Sequence, residues 1–378
     1  MKVSCLQENL AKGLSIVSRA VAARSTLPVL GNIYLGTDQG RVKLAATNLE
    51  IGITCWIGAK VEDEGATTVP SRTFVDLVNA LPQGTVDMDL TVRTQTLTVT
   101  SGRFTNNVKG VDAQEFPIIP KAEEAETIRV APDVLRLMID QVVFAAATDE
   151  SRPILTGVYA KFSGKTLTLA AADGFRLSVR TAQLDEGVDE PLDVIIPARA
   201  LAEVSRICGD QTDPISLMIT PQKSQILFHL TNIDLVSQLI DGKFPDYNAI
   251  VPKSSGTKSV IDTQQLLKAC KAANVFAREA ANIVRLSIQP GDEITPGHIK
   301  IGAQSAETGE NAGDLDAAIS GNAMEIAFNV KYLIDVLNVA GAPQMTLETN
   351  SASQPGLLRP IGNDSFTHVI MPMHIGGR

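Results

Sequence analysis

Histidines, cysteines and phosphate-loop glycines are the residues whose spacing most readily betrays a reaction, and in this chain they are few and dispersed. The four histidines, His229, His298, His368 and His374, form no H-E-x-x-H pair and have no short spacing that would set two rings on one helix face. A zinc centre therefore has no ligands to build on, and no metal or cofactor is expected. Gly164-Lys165-Thr166 has the ending of a phosphate-binding loop, yet Tyr159 occupies the place of its leading glycine, so the tripeptide is expected to be a hairpin turn. No G-x-G-x-x-G follows a strand pattern and no G-x-S-x-G marks a nucleophile elbow. Cys5, Cys55, Cys208 and Cys270 stand singly among apolar neighbours, which predicts buried, reduced thiols. Forty-two carboxylates remain, and only the fold decides which converge, so an acid–base enzyme stays open as one class of function.

The elements that would have to position any such groups come in three copies. "VPSRTFVDLVNAL" from Val69 returns as "IPARALAEVSRIC" from Ile196 and more loosely as "FNVKYLIDVLNVA" from Phe328, at intervals of 127 and 132 residues. Each reads as a strand end running into an amphipathic helix. "EFPIIP" at Glu115 returns as "KFPDYNAIVP" at Lys243, and "NIYLGTDQGRVKLAATN" matches "GVYAKFSGKTLTLAAAD", with "RLSIQPGDEITPGHIKIGAQ" as a longer third version. Such periods are far too long for a solenoid and describe three homologous domains. Polar segments at 121–127 and 253–258 set their limits near 1–122, 128–253 and 258–378. Each copy opens with a helix; in the third, Asp262 and Gln265 form a capping pattern ahead of Leu266, Leu267 and Cys270. Val86, Met88, Leu90 and Val92 alternate with polar residues, as in a sheet with one wet face. The fold class is α+β.

Composition narrows the setting. Apolar residues make up 44% of the 378 and charged ones 20%, and no apolar run approaches the ~18 residues a membrane span needs. The start, "MKVSCLQENLAKG", lacks the apolar core of a secretory signal, so a soluble, cytoplasmic protein is expected. The net charge of −9 speaks against a polyanionic partner unless the cations are segregated, and they are. The six helical segments hold ten basic and six acidic residues, which leaves them at +4 and everything else at −13. Cations on helices of all three repeats suit sequence-independent contact with duplex phosphates. A repeat scaffold that binds proteins and no DNA is the rival reading, and the basic helices are what separates the two.

A family resemblance then joins these observations. "RSTLPVLGN" at 24–32, "ADGFRLS" at 172–178, "DGKFPDY" at 241–247, "FNVKYLIDVLN" at 328–338 and "VIMPM" at 369–373 resemble, in order and spacing, the beta subunit of bacterial DNA polymerase III, the replicative sliding clamps. The resemblance spans the whole chain. It implies three copies of one clamp domain, helices inside and antiparallel sheets outside, with two chains closed head to tail into a ring around double-stranded DNA. It implies a non-catalytic processivity factor, associated with the nucleoid, whose partners are the polymerase III alpha subunit, the clamp-loader delta subunit and other proteins carrying the clamp motif. It places a hydrophobic peptide cleft at Leu155, Ala172, Gly174, Phe175, Arg176, Leu177, Pro245, Ile250, Val369, Ile370, Met371, Pro372 and Met373. Ala172 stands where threonine is common, Phe175 where histidine is common, and His374-Ile375 where Arg-Leu usually ends the chain. The cleft wall is expected to be peripheral, so truncation after Val369 should spare the fold, and one such cleft per chain is expected because the first domain offers "ATNLEIG" instead of "AADGFRLS". The basic residues assigned to DNA are Arg24, Arg72, Arg152, Arg199, Arg206, Lys268, Lys271 and Arg278. The ring joint is assigned to Arg103, Phe104 and Val108 on one side and Val275, Phe276, Glu307 and Glu310 on the other.

Overall fold

The computed structural model describes residues 1–22, 27–120, 127–292 and 295–374. Arg24, the polar stretch 121–126 and the Gly376-Gly377-Arg378 end lie outside the described residues. Six α-helices are described: α1 (Gln7–Val17), α2 (Ser71–Ala80), α3 (Pro132–Val142), α4 (Ala198–Ile207), α5 (Thr263–Ala277) and α6 (Val330–Val339). They fall two to each sequence repeat. Where the sequence supplies a side-chain cap, the helix uses it: Asp262 accepts from the Gln265 amide at 2.8 Å to start α5, and Asn329 accepts from the Lys331 amide at 3.0 Å to start α6. Leu266, Leu267 and Cys270 then face a core shared with Leu333, Val336 and Leu337 of α6.

The chain forms two compact units, one of 1–136 with 199–239 and the other of 137–198 with 240 onward. In the first, a five-stranded sheet runs in the order Lys60–Asp63, Lys2–Leu6, Thr85–Thr91, Thr96–Ser101, Phe104–Lys109. Its Thr85–Thr91 strand buries Val86, Met88 and Leu90 and exposes Asp87 and Asp89, as the alternation predicts. Val92 departs from that expectation: it opens a 3-10 turn and is 64% exposed, because the strand ends one residue before it. An eight-stranded sheet of the same unit runs Thr127–Val130, Ile215–Ile219, Gln225–Leu230, Ile233–Gln238, Ile51–Gly58, Arg41–Thr47, Asn32–Asp38, Ala66–Pro70. It crosses from the second repeat to the first where Ile233–Gln238 pairs antiparallel with Ile51–Gly58.

The second unit is built on a ten-stranded sheet in the order Gly157–Ala172, Arg176–Pro197, Phe366–Ile370, Gly356–Pro360, Gln344–Thr349, Thr257–Asp262, Gly309–Gly321, His298–Ser305, Ile283–Gln289, Met324–Asn329. Here too a strand pair joins two repeats, Arg176–Pro197 with Phe366–Ile370. The Gly164-Lys165-Thr166 tripeptide is not the expected hairpin turn: it is an irregularity inside the Gly157–Ala172 strand, with Gly164 at φ 52° and the register shifting on both sides of it. Lys165 Nζ donates to the Asp185 carbonyl at 2.8 Å, and no helix follows to receive a phosphate. The 253–258 segment is pinned by Asn350, whose Oδ1 accepts from the Gly256 amide at 2.7 Å while its Nδ2 donates to the Ser254 carbonyl at 2.7 Å. All four cysteines are buried and form no disulfide. Burial pushes the thiols of Cys5 and Cys270 up to about 12 and that of Cys55 to about 11, which keeps them protonated and unreactive. Among the described residues no helix is long and apolar enough to cross a membrane.

Candidate functional site

The strand pair that joins two repeats in the second unit also carries the candidate groove, an apolar cluster with exposed apolar side chains beside it. Gly157–Ala172 reverses at Asp173-Gly174-Phe175, where Gly174 takes φ 93° and Asp173 Oδ1 accepts from the amides of Phe175 at 2.8 Å and Arg176 at 3.0 Å. A side chain at position 174 would be strained in that turn. The returning strand pairs Leu177 with Val369 and Arg176 with Ile370, and the Met371 amide donates to the Phe175 carbonyl at 2.8 Å. The Met373 amide donates to the Ala327 carbonyl at 2.8 Å. The apolar tail is therefore docked as a strand and its extension.

Ala170, Ala172, Leu177, Ile195, Phe244, Leu357 and Val369 form the groove's buried floor, with Leu155, Tyr159, Tyr247 and Val251 packed around it. The Tyr159 ring stacks on Phe244 with centroids 5.4 Å apart. Above the floor, Phe175 is 55%, Ile250 41% and Met371 38% exposed, and Pro245 is also exposed. Exposed large apolar side chains on a formed apolar floor are the ingredients of a docking groove. Of the assigned residues, Leu177 and Val369 are floor. Ile370 is fully buried in the α5–α6 core, so it cannot line the groove, and cutting the chain after Val369 would open that core. The expectation that such a truncation spares the fold is corrected on this point: the strand's two faces serve different cores, and removal must begin at Met371.

Arg176 is committed inside the protein. Its Nε donates to Asp173 Oδ2 at 3.0 Å, its Nη1 to Asp335 Oδ2 of α6 at 2.6 Å and its Nη2 to the Phe144 carbonyl at 2.6 Å. The guanidinium also lies 4.3 Å from the Tyr332 ring centroid. Arg176 thus holds the groove's turn against α6 and offers no free charge to a ligand. Beside it, His368 is fully buried; its Nδ1 lies 2.6 Å from Ser178 Oγ and its ring 5.4 Å from that of Phe144. Burial, then the Arg176 charge, push its pKa down to about 3, so the imidazole is neutral.

The basic residues assigned to DNA are displayed unevenly. In the first unit Arg72 projects from α2 with its side chain 97% exposed, and Arg199 is exposed at the start of α4. Arg206 pairs at 2.7 Å with Glu203, a carboxylate only 9% exposed that also lies 3.6 Å from Arg19. In the second unit Lys268 and Lys271 are exposed three residues apart on one face of α5, and Arg278 follows at its C-cap with Glu279 3.4 Å away. Arg152 is exposed, and its guanidinium packs on Gly174 at the groove's turn, so it belongs to the groove's surroundings as well.

For the ring joint, Phe104 is 60% exposed on the edge strand of the five-stranded sheet, with Arg103 exposed beside it. Val108 is not available there: it is 6% exposed because it sits opposite Leu97 over the sheet's core, whereas Phe104 lies at the strand's outer end. Val275 is 51% exposed on α5, Phe276 is half-buried, and Glu307 and Glu310 are exposed. Sequence reasoning missed the roles of Asp335, Tyr332 and Glu203, which it could count only as charges or rings. Their partners lie far away in the chain, and no local spacing announces them.

Three family profiles match the chain: "DNA polymerase III beta subunit, N-terminal domain" over residues 1–120, the central domain over 129–246 and the C-terminal domain over 248–374. The beta sliding clamp of Bacillus subtilis is 33% identical over 384 residues, covering 99% of both chains, and that of Synechocystis is 32% identical over 398 residues, covering 99% of this chain and all of the relative. Among solved structures, the Bacillus subtilis DNA polymerase sliding clamp superposes with a TM-score of 0.92 at 31% identity and 99% coverage of both chains. The sliding clamp of Pseudomonas aeruginosa bound to griselimycin gives 0.90 at 29% identity, over 99% of this chain and 100% of that one.

Proposed function

Since the chain belongs to the DNA polymerase III beta subunit family, we propose that it is a sliding clamp: a non-catalytic processivity factor that encircles duplex DNA and holds a polymerase on it. Its three clamp domains take the limits 1–122, 128–253 and 258–378, and two chains close head to tail, Phe104 meeting Val275 and Phe276 of a second copy. Arg72, Arg199, Lys268 and Lys271 face the phosphates, with Arg24, Arg152, Arg206 and Arg278 contributing more weakly or from loops. A sliding contact needs cations without base readout, which exposed lysines and arginines supply. The protein works in the cytoplasm, on the nucleoid.

The observation that carries the partner side of this reading is the groove over Leu177 and Val369 with Phe175, Ile250 and Met371 open above it. Short apolar motifs of the polymerase alpha subunit, the clamp-loader delta subunit and other clamp-binding proteins dock there. Met371 and Met373 suit a groove with several users, because an unbranched thioether side chain adapts its shape to different anchors. The test is primer extension by the cognate polymerase at limiting enzyme: product length per binding event should rise severalfold when the protein and its loader are supplied. Unchanged product length would overturn the assignment.

A further inference from the structure

The resemblance implied one groove per chain, yet the first unit has a second cavity at its own repeat joint. It lies beside the pairing of Ile51–Gly58 with Ile233–Gln238, the counterpart of the joint that carries the groove described above. The cavity encloses about 460 Å³, and its wall includes Tyr34, Lys43, Trp56, Phe116, Ile119 and Val236. Tyr34 and Phe116 approach with centroids 5.6 Å apart, as Tyr159 and Phe244 do at 5.4 Å in the other unit. Beside it Ile118 is 93% and Leu49 52% exposed, so apolar surface continues out of the cavity.

Charge tells what this cavity would take. Lys43 Nζ lies 5.8 Å from the Tyr34 ring centroid and 5.9 Å from that of Trp56, and among the described residues it has no carboxylate partner. The nearby carboxylates keep their charge but face other donors: Asp234 hydrogen-bonds His229 at 2.6 Å, and Asp38 accepts from Trp56 Nε1 at 2.8 Å. A half-buried ammonium held between two aromatic faces, with no ion-pair partner of its own among the described residues, is a place for an incoming carboxylate, with room beside it for apolar side chains. A cavity of this volume accommodates one or two side chains.

We propose that this cavity is a second docking site, taking a short peptide that inserts an aliphatic or aromatic anchor between Tyr34, Trp56 and Phe116 and sets a carboxylate on Lys43. The site stands apart from the groove at Leu177 and Val369 and does not depend on processivity. Trp56 is the chain's single tryptophan, so its fluorescence answers to binding at its own walls and is silent to binding in the other groove, which holds none; dependence on Lys43 assigns the signal to this cavity.

The experiment titrates the full chain with two blocked peptides, Ac-Pro-Leu-Phe-Glu-NH2 and Ac-Pro-Leu-Phe-Gln-NH2, while exciting Trp56 selectively. The Glu peptide should give a saturable change below about 1 mM, and the Gln peptide should bind about fivefold more weakly, the upper range for a partly exposed ion pair. Lys43→Gln should erase the difference between the two peptides, with circular dichroism to verify folding. No saturable change, or equal affinity of both peptides for the unaltered protein, overturns the proposal without any variant. A response that disappears in Phe175→Ala would overturn it too, since it would place the peptide in the other groove.

Discussion

Replacing Phe175 by alanine separates docking from folding. Phe175 sits in the groove's turn with its side chain 55% exposed, so the folded protein gains little from it. Its backbone carbonyl, which receives the Met371 amide at 2.8 Å, survives the substitution. A phenylalanine carries roughly 150–250 Å² of surface, of which about 100 Å² stays open here for a ligand to cover. At about 25 cal/mol per Å² that is roughly 2.5 kcal/mol, and ordering costs reduce the net to about 1–2 kcal/mol, a five- to thirtyfold loss of affinity. Fluorescence anisotropy of a labelled Leu/Phe-containing peptide measures the loss, and a thermal melt should shift by no more than about 2 °C. Unchanged peptide affinity would show that the exposed apolar rim is not the docking surface. A large fall in melting temperature would show that Phe175 is core, against its exposure.

Three further outcomes follow from single residues. Arg176→Ala removes the partner of Asp173 and Asp335 at a site only 11% exposed, so the lowest unfolding transition of the chain should lose about 3 kcal/mol; Arg176→Lys, which cannot make the fork of contacts, should not restore it. His368 is held at a pKa of about 3 in the folded chain, below its ordinary value of 6.5, so its contribution is complete above pH 6.5 and falls by about 1.4 kcal/mol per pH unit from there toward pH 3. Melts of the unaltered protein and His368→Gln between pH 7.5 and 5 should show the slope only in the former, and parallel slopes would refute the burial account. Phe104→Asp should convert a micromolar dimer into monomer in sedimentation, and a dimer that persists would move the ring joint elsewhere.

Much of this was legible in the sequence where the cause is local. Val86, Met88 and Leu90 announce their strand by period, and Asp262 announces the start of α5 by its spacing to Gln265. That the two faces of Phe366–Ile370 serve different cores was not legible: the resemblance put Val369 and Ile370 in one cleft, whereas Val369 joins the apolar cluster around Leu177 and Ile370 the α5–α6 core. Arg176 read as one cation of a motif, but its partners Asp335 and Phe144 lie 159 and 32 residues away. Glu203 read as one of six acids on the helices, while its burial beside Arg206 and Arg19 ties down two of the basic residues. Such pairings arise from packing between segments distant in the chain, which composition and period do not encode.

A sliding clamp stays on DNA because it surrounds it. The direct measurement loads the labelled protein onto nicked circular duplex DNA, isolates the complex by gel filtration at moderate salt, and then linearises the circle with a restriction enzyme. Retention on the circle is expected, with rapid release once the ends are free and with basic-residue substitutions such as Lys268→Ala changing the loading salt dependence more than the retention. Equal retention on circular and linear DNA, or loss from the intact circle, would contradict it.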